Sequence, residues 1–329
     1  MMGKRRLHQF LKPQGVTVLV LALFAAGCLI SSEFLTRENL VNTLGAVALL
    51  GIVAVGVSFV TYSQHYVDLS IPGIMALSGI VAVSALPYGF AASLTAGIAV
   101  GVTIGLVNGL VVGYLRLNPI IWTLAMLSVL SGVIRKAYAG RQVYPDEATA
   151  AGRAFLDLYH TQVFGWLSLP VALLAIAAAA GTVIMWKTGF GARLKLTGSS
   201  YEVARMTGVH VQRTIMAAFV ICSVSSSVAG ILLTSFNRVG AQYIGKGYDF
   251  DALTAVVIGG MTLTGGRGSV PGVVGGVVAI ALLNNIMSLV KIGEFTIGSF
   301  EKTIIQGVIF ILAVGINSYF QKTPGLEDA

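Results

Sequence analysis

Gln64, His65, Tyr66, Asp68 and Ser70 put five polar-capable side chains into seven residues, directly after an apolar run at 40–63. Hydrocarbon leaves such donors and acceptors unpaired at a cost of several kcal/mol each, so they must face water, protein or a solute. Asp68 is the acid closest to a span interior, and ionisable groups there are functional candidates. Gln64 and Asp68 can bond hydroxyl groups, and Tyr66 offers an aromatic face for stacking. The same stretch also fits a capped turn, because Asp68-Leu69-Ser70-Ile71-Pro72 has helix-start chemistry. Two further places are candidates for a solute pathway. Thr123 follows Asn118-Pro119, and Asn284 lies beside Asn285 deep in an apolar run. Amides at such depth either bond a polar solute or join two helices.

Hydrolytic and redox chemistry have no foothold. The sequence lacks a Walker A loop, so this chain should not hydrolyse ATP itself. Gly266-Arg267-Gly268 is not completed into a dinucleotide fingerprint, and there is no H-E-x-x-H or G-x-S-x-G. The four histidines (8, 65, 160, 210) are dispersed, and Cys28 and Cys222 sit inside apolar runs without metal spacing. Ser223, Ser225, Ser226 and Ser227 share one apolar segment, where back-bonding or helix contact explains them better than a nucleophile. No catalytic residue, metal site or bound cofactor is expected.

The elements that must position these residues are membrane spans. Of 329 residues, 56% are hydrophobic and 10% charged, against about 25% charged in soluble domains. The length allows about ten spans of roughly 20 residues each and no sizeable soluble domain. The expected spans are 15–31, 40–63, 71–88, 91–115, 119–136, 165–186, 214–235, 251–265, 270–290 and 302–320. The fold class is therefore all-α, a single polytopic domain over 1–329, with the short or interrupted spans that transporters use for their pathways. The net charge of +8 suits anionic lipid headgroups. It is scattered between spans, which argues against nucleic acid. A basic N-terminus and alternation put both termini in the cytoplasm, with twelve Lys and Arg inside and nine outside.

Residues 187–213 form the longest cytoplasmic link, with Lys187, Arg193, Lys195, Arg205 and Arg213 against the single acid Glu202. Ser199 or Ser200 can cap a short amphipathic turn there, and Glu202 complements its positive end. Such a turn, presented between two spans, can receive a push from a soluble partner. Elsewhere Gly97, Gly101, Gly105, Gly109 and Gly113 recur every four residues on one helix face, the pattern that lets helix backbones meet.

Four stretches resemble the membrane subunits of ribose-type sugar ABC importers. Residues 34–79 contain a Y-V-D-L-S-I-P-G run similar to the family's G-G-I-D-L-S-V-G-S, and Asn118 to Leu124 read N-P-I-I-W-T-L for its P-x-F-I-x-T-L. Residues 198–208, GSSYEVARMTG, resemble the family's coupling loop, G-G-N-x-x-A-A-x-x-S-G-I. Residues 247–276 resemble its D-A-I-A-A-V-V-I-G-G-x-x-x-x-G-G-x-G-S stretch. The resemblance implies coupling to an ATPase through Gly198, Ser199, Ser200, Glu202, Ala204, Arg205 and Gly208. It also implies cytoplasmic ATPase subunits, a second permease chain, a periplasmic solute-binding protein and a place in the bacterial inner membrane. Import would proceed by alternating access. The expected solute is neutral, most simply a monosaccharide, because paired internal charges for a charged solute are lacking. Gln64-His65-Tyr66, Pro72 and Ser199-Ser200 depart from the pattern. They leave open a non-sugar or furanosyl signalling solute and one half of a heterodimer. An ion-coupled secondary transporter is the rival from another class; Asp68 alone approaches the midplane acid it needs.

Overall fold

The computed structural model describes residues 2–63, 67–292, 295–296 and 298–321. Gln64, His65 and Tyr66 lie outside the described residues. The chain runs α1 (Met2–Ile30), α2 (Arg37–Tyr62), α3 (Ile71–Ser84), a 3-10 turn (Leu86–Tyr88), α4 (Phe90–Gly113) and α5 (Pro119–Tyr138). Then follow α6 (Ala150–Asp157), the hairpin β1 (Gln162–Val163) and β2 (Leu167–Ser168), α7 (Leu169–Lys187), α8 (Gly189–Ser199), α9 (Tyr201–Met206) and α10 (Val211–Asn237). The last part holds α11 (Tyr248–Ile258), α12 (Val270–Leu289), the hairpin β3 (Lys291–Ile292) and β4 (Phe295–Thr296), and α13 (Ser299–Gln321).

Among the described residues six helices are long and apolar enough to cross a membrane: α2, α4, α5, α7, α10 and α12. Shorter apolar helices occupy Gly15–Ile30 and all of α3. Two expected spans are thus cut short. The 71–88 stretch folds as 14 residues of α3, about 21 Å at 1.5 Å per residue, and then turns at Leu86-Pro87. The 251–265 stretch becomes α11, which begins at Tyr248 and stops at Ile258. Gly260, Gly265, Gly266 and Gly268 all have positive φ in the link to α12, a path that only glycine follows cheaply. The expected 165–186 span begins at Leu169 instead, because β1 and β2 pair across Phe164-Gly165, both with positive φ. The 136–164 loop carries α6, capped by Thr149 accepting from Gly152 N at 3.0 Å.

The core is built around α2. Every residue from Val47 to Tyr62 is buried, as a helix apolar on all sides must be; α7, α10, α11 and α12 surround it. Opposite, α4 lies antiparallel on α10. Cβ atoms added at Gly105, Gly109 and Gly113 would lie 2.8, 2.6 and 2.9 Å from Val220 Cα, Met216 Cα and Gln212 O. One at Gly101 would lie 2.7 Å from Ser223 O, and one at Gly97 2.7 Å from Ile231 Cδ1 and 3.0 Å from Ser78 O. The ladder descends α10 turn by turn, so each glycine admits a backbone that any side chain would push away.

Cross-links define two ends of the bundle. At one, Gly266 N donates to Tyr62 O at 3.0 Å, Gly198 is wedged between them, and Arg116 bonds the Tyr201 hydroxyl. At the other, Val143 pairs with Gly240, Tyr159 N donates to Ser235 Oγ at 3.1 Å, and Asn39 exchanges bonds with Asn285 at 2.6 and 3.2 Å.

Candidate functional site

Helices α8 and α9 stand at the first end. Ser200, extended at φ −164°, is the residue that caps α9, its hydroxyl accepting from Val203 N at 3.4 Å. Ser199 instead ends α8, its hydroxyl back-bonding to Lys195 O at 2.9 Å. Behind α9, Val209 N donates to Ala204 O at 3.0 Å and Gly208 N to Arg205 O at 3.1 Å, with Gly208 at φ +80°. That bond pair is a Schellman stop, and it explains why a glycine sits at 208. Ala204 is fully buried and anchors α9, which packs on α10. Glu202 and Arg205 point to solvent, and so do Val203 and Met206, the latter 85% exposed. A Cβ on Gly198 would meet Gly266 N at 2.6 Å, besides striking Tyr62 O. Helix α8 is therefore keyed into both the end of α2 and the glycine-rich link between α11 and α12.

The second constellation lies near the same end, where α3 starts, α4 finishes and α5 starts. Asp68 Oδ1 accepts from Ser70 N at 2.9 Å and from Ser70 Oγ at 2.5 Å. Asn108 of α4 donates to Ser70 Oγ at 3.0 Å and reaches Asp68 Oδ2 at 3.5 Å, the long limit of such a bond. Trp122 of α5 closes the chain, its Nε1 donating to Asn108 Oδ1 at 3.0 Å. Thr123 Oγ1 accepts from Leu69 N at 3.0 Å and donates to Pro119 O at 2.8 Å. Asp68, Ser70, Asn108 and Thr123 are all essentially inaccessible. The turn expected at 68–72 exists, and Asp68 makes it through its bonds to Ser70. Asn118 caps α5, accepting from Ile120 N at 3.0 Å and Ile121 N at 3.3 Å, with Pro119 in the first turn.

Asn284 does not join this network. It lies on α12 toward the opposite end, where its Nδ2 donates to Asp251 Oδ2 at 3.2 Å. Gln306 Nε2 of α13 lies 3.3 Å from the same carboxylate oxygen and 3.1 Å from Asn284 Oδ1. Asn285 is the amide that joins helices, through Asn39 of α2. The described candidate pathway residues thus divide between the two ends, Asp68, Ser70 and Thr123 at one and Asn284 at the other. Asn108, Trp122, Asp251 and Gln306 were not singled out from sequence, although a lone amide or acid in an apolar run was available as the signal. On α10, Ser226 back-bonds to Cys222 O at 2.9 Å, and Ser227 Oγ bonds Gly97 O at 2.7 Å, so two of the four serines serve the helix and its contact.

Among the described residues, six membrane-length apolar helices with shorter helices broken between them define a polytopic membrane protein. The chain belongs to the family described as "Branched-chain amino acid transport system / permease component", which matches residues 39–314. It is 32% identical to the ribose import permease protein of Bacillus subtilis (strain 168) over 309 residues, 91% of this chain and 89% of that one. It is 31% identical to the L-arabinose transport system permease protein of Escherichia coli (strain K12) over 310 residues, 94% and 91% of the two chains. The xylose transport system permease protein of the same strain is 29% identical over 343 residues, 87% and 86% of the two. No solved structure matches at a significant level. The resemblance to ribose-type importers read from the motifs holds along nearly the whole chain, and the protein is a multi-pass protein of the bacterial plasma membrane.

Proposed function

We propose that this chain is the permease subunit of an ATP-driven importer for a small neutral sugar, a pentose in the first instance. The observation that carries the reading is the full-length likeness to three permeases whose names specify ribose, L-arabinose and xylose, all five-carbon aldoses. The family description names an amino-acid solute, but the ribose, L-arabinose and xylose permeases match most of the chain. In this reading residues 1–329 act as one domain with both termini in the cytoplasm, and a second permease chain pairs with it within the lipid. Cytoplasmic ATPase subunits, which hold the ATP and Mg, dock on α8 and α9. A periplasmic binding protein delivers solute to the opposite end.

The mechanism follows from what the elements can transmit. Val203 and Met206 give α9 an exposed apolar face, flanked by Glu202 and Arg205, that a soluble partner can grip. Movement of α8 and α9 passes through Gly198 to the end of α2 and to the 259–269 link, which bracket the pathway on the cytoplasmic side. The Asp68–Ser70–Asn108–Trp122 network binds α3, α4 and α5 into one unit. Alternating access then requires that unit to shift against α2, α11 and α12, the direction of shift being set by ATPase closure. Replacing Glu202 and Arg205 together by Ala tests the docking. Solute-stimulated ATP hydrolysis by the assembled importer should fall severalfold while membrane insertion is unchanged. Full coupling after disruption of all of α9 would remove this role.

A further inference from the structure

We propose that Asp251, Asn284 and Gln306, beside Phe250 and Phe310, form a recognition subsite for the hydroxyl groups of a sugar at the end of the permease opposite α8 and α9. The inference rests on the sugar-import reading and specifies where in the chain such a solute is first held.

Three helices supply the cluster. Asp251 stands in the first turn of α11, Asn284 near the end of α12 and Gln306 in the second turn of α13. The two amides and the carboxylate close a triangle with edges of 3.1 to 3.3 Å. Unlike the buried Asp68, Ser70 and Asn108, these side chains are only partly buried in the single chain. Planar groups carrying both donors and acceptors are what vicinal hydroxyls require, because each hydroxyl both gives and accepts a bond. Beside the triangle, Phe250 and Phe310 meet edge to face with centroids 6.1 Å apart, and Phe250 is 52% exposed. An accessible aromatic face next to convergent polar groups offers both halves of a sugar's surface a partner. One turn along α12, exposed Ser288 accepts from Lys302 Nζ at 2.7 Å and extends the polar strip outward. Helix association alone would be served by one amide pair, as Asn39 and Asn285 already provide between α2 and α12.

The test uses the full chain with its ATPase and binding protein. Uptake of D-ribose, L-arabinose and D-xylose into proteoliposomes is measured first; no uptake of any of them removes the sugar reading, and this subsite with it. In an uptake-competent complex, Ser288→Cys is then introduced with Cys28 and Cys222 replaced, and maleimide labelling is timed in nanodiscs with each pentose. A transported pentose should slow labelling severalfold, and Asp251→Asn or Gln306→Leu should abolish that protection in complexes that still assemble. Identical labelling rates with and without every transported pentose would overturn the subsite but not the import function. Protection that survives both substitutions would also overturn it. Protection by leucine and not by pentoses would reassign the cluster to an amino acid.

Discussion

Asn108 decides more than any other single side chain in the sealed network, because it is donor to Ser70 and acceptor from Trp122 at once. Asn108→Leu leaves the buried Ser70 hydroxyl short of a donor, at about 1–3 kcal/mol, and takes the acceptor from the half-buried Trp122 indole N–H. Thermal unfolding of the purified variant should show a lowered midpoint, and an unchanged midpoint would mean that water replaces the amide. At the ladder, Gly105→Leu places a branched side chain where Val220 Cα stands 2.8 Å from a would-be Cβ. Overpacking of this kind costs roughly 1–3 kcal/mol, so the variant should assemble poorly on gels and lose transport; wild-type behaviour would contradict the α4–α10 contact. At this scale the sequence was read unevenly. Asp68 drew attention because an acid is conspicuous in an apolar run. Asn108, between Val107 and Gly109, carries no charge to mark it, and its role shows only once Trp122 of α5 is placed against it.

Among the elements, α9 rests most on its caps. Six residues cannot hold a helix through their own bonds, so the Ser200 hydroxyl, the Gly208 stop and buried Ala204 carry it. Ser200→Ala removes a cap worth about 1 kcal/mol; stimulated ATP hydrolysis should fall and basal hydrolysis should not, with coupling retained in Ser200→Asp. This element was legible as a short capped turn, from Ser199 or Ser200 and Glu202 close together; its stop at Gly208 shows only in the backbone. The interruptions in α3 and α11 were harder to see. Apolar content continues through Leu86 and through Met261, and only the backbone reveals where the helix stops. The hairpin before α7 was hidden for a related reason: Phe164-Gly165-Trp166 is as apolar as a span, and its turn depends on positive φ at two neighbouring positions.

For the whole molecule, the two ends and the tract between them were readable only in outline. Composition and charge fixed a membrane bundle, and motif likeness fixed the family, but pairing between distant helices depends on side-chain contacts that span hundreds of residues, such as Asn39 with Asn285. The proposed orientation can be checked directly. Single cysteines at Ser200 and Thr149, in a chain lacking Cys28 and Cys222, should label from opposite sides of the membrane, and labelling from one side would reject the arrangement. The central claim is ATP-driven import by a permease that has no ATPase of its own. The most direct measurement reconstitutes the chain with and without its ATPase subunits, with the binding protein outside and ATP inside, and follows labelled pentose. Accumulation that needs ATP, the ATPase and the binding protein together is the predicted result. Accumulation by the permease chain alone, driven by an imposed ion gradient, would contradict it.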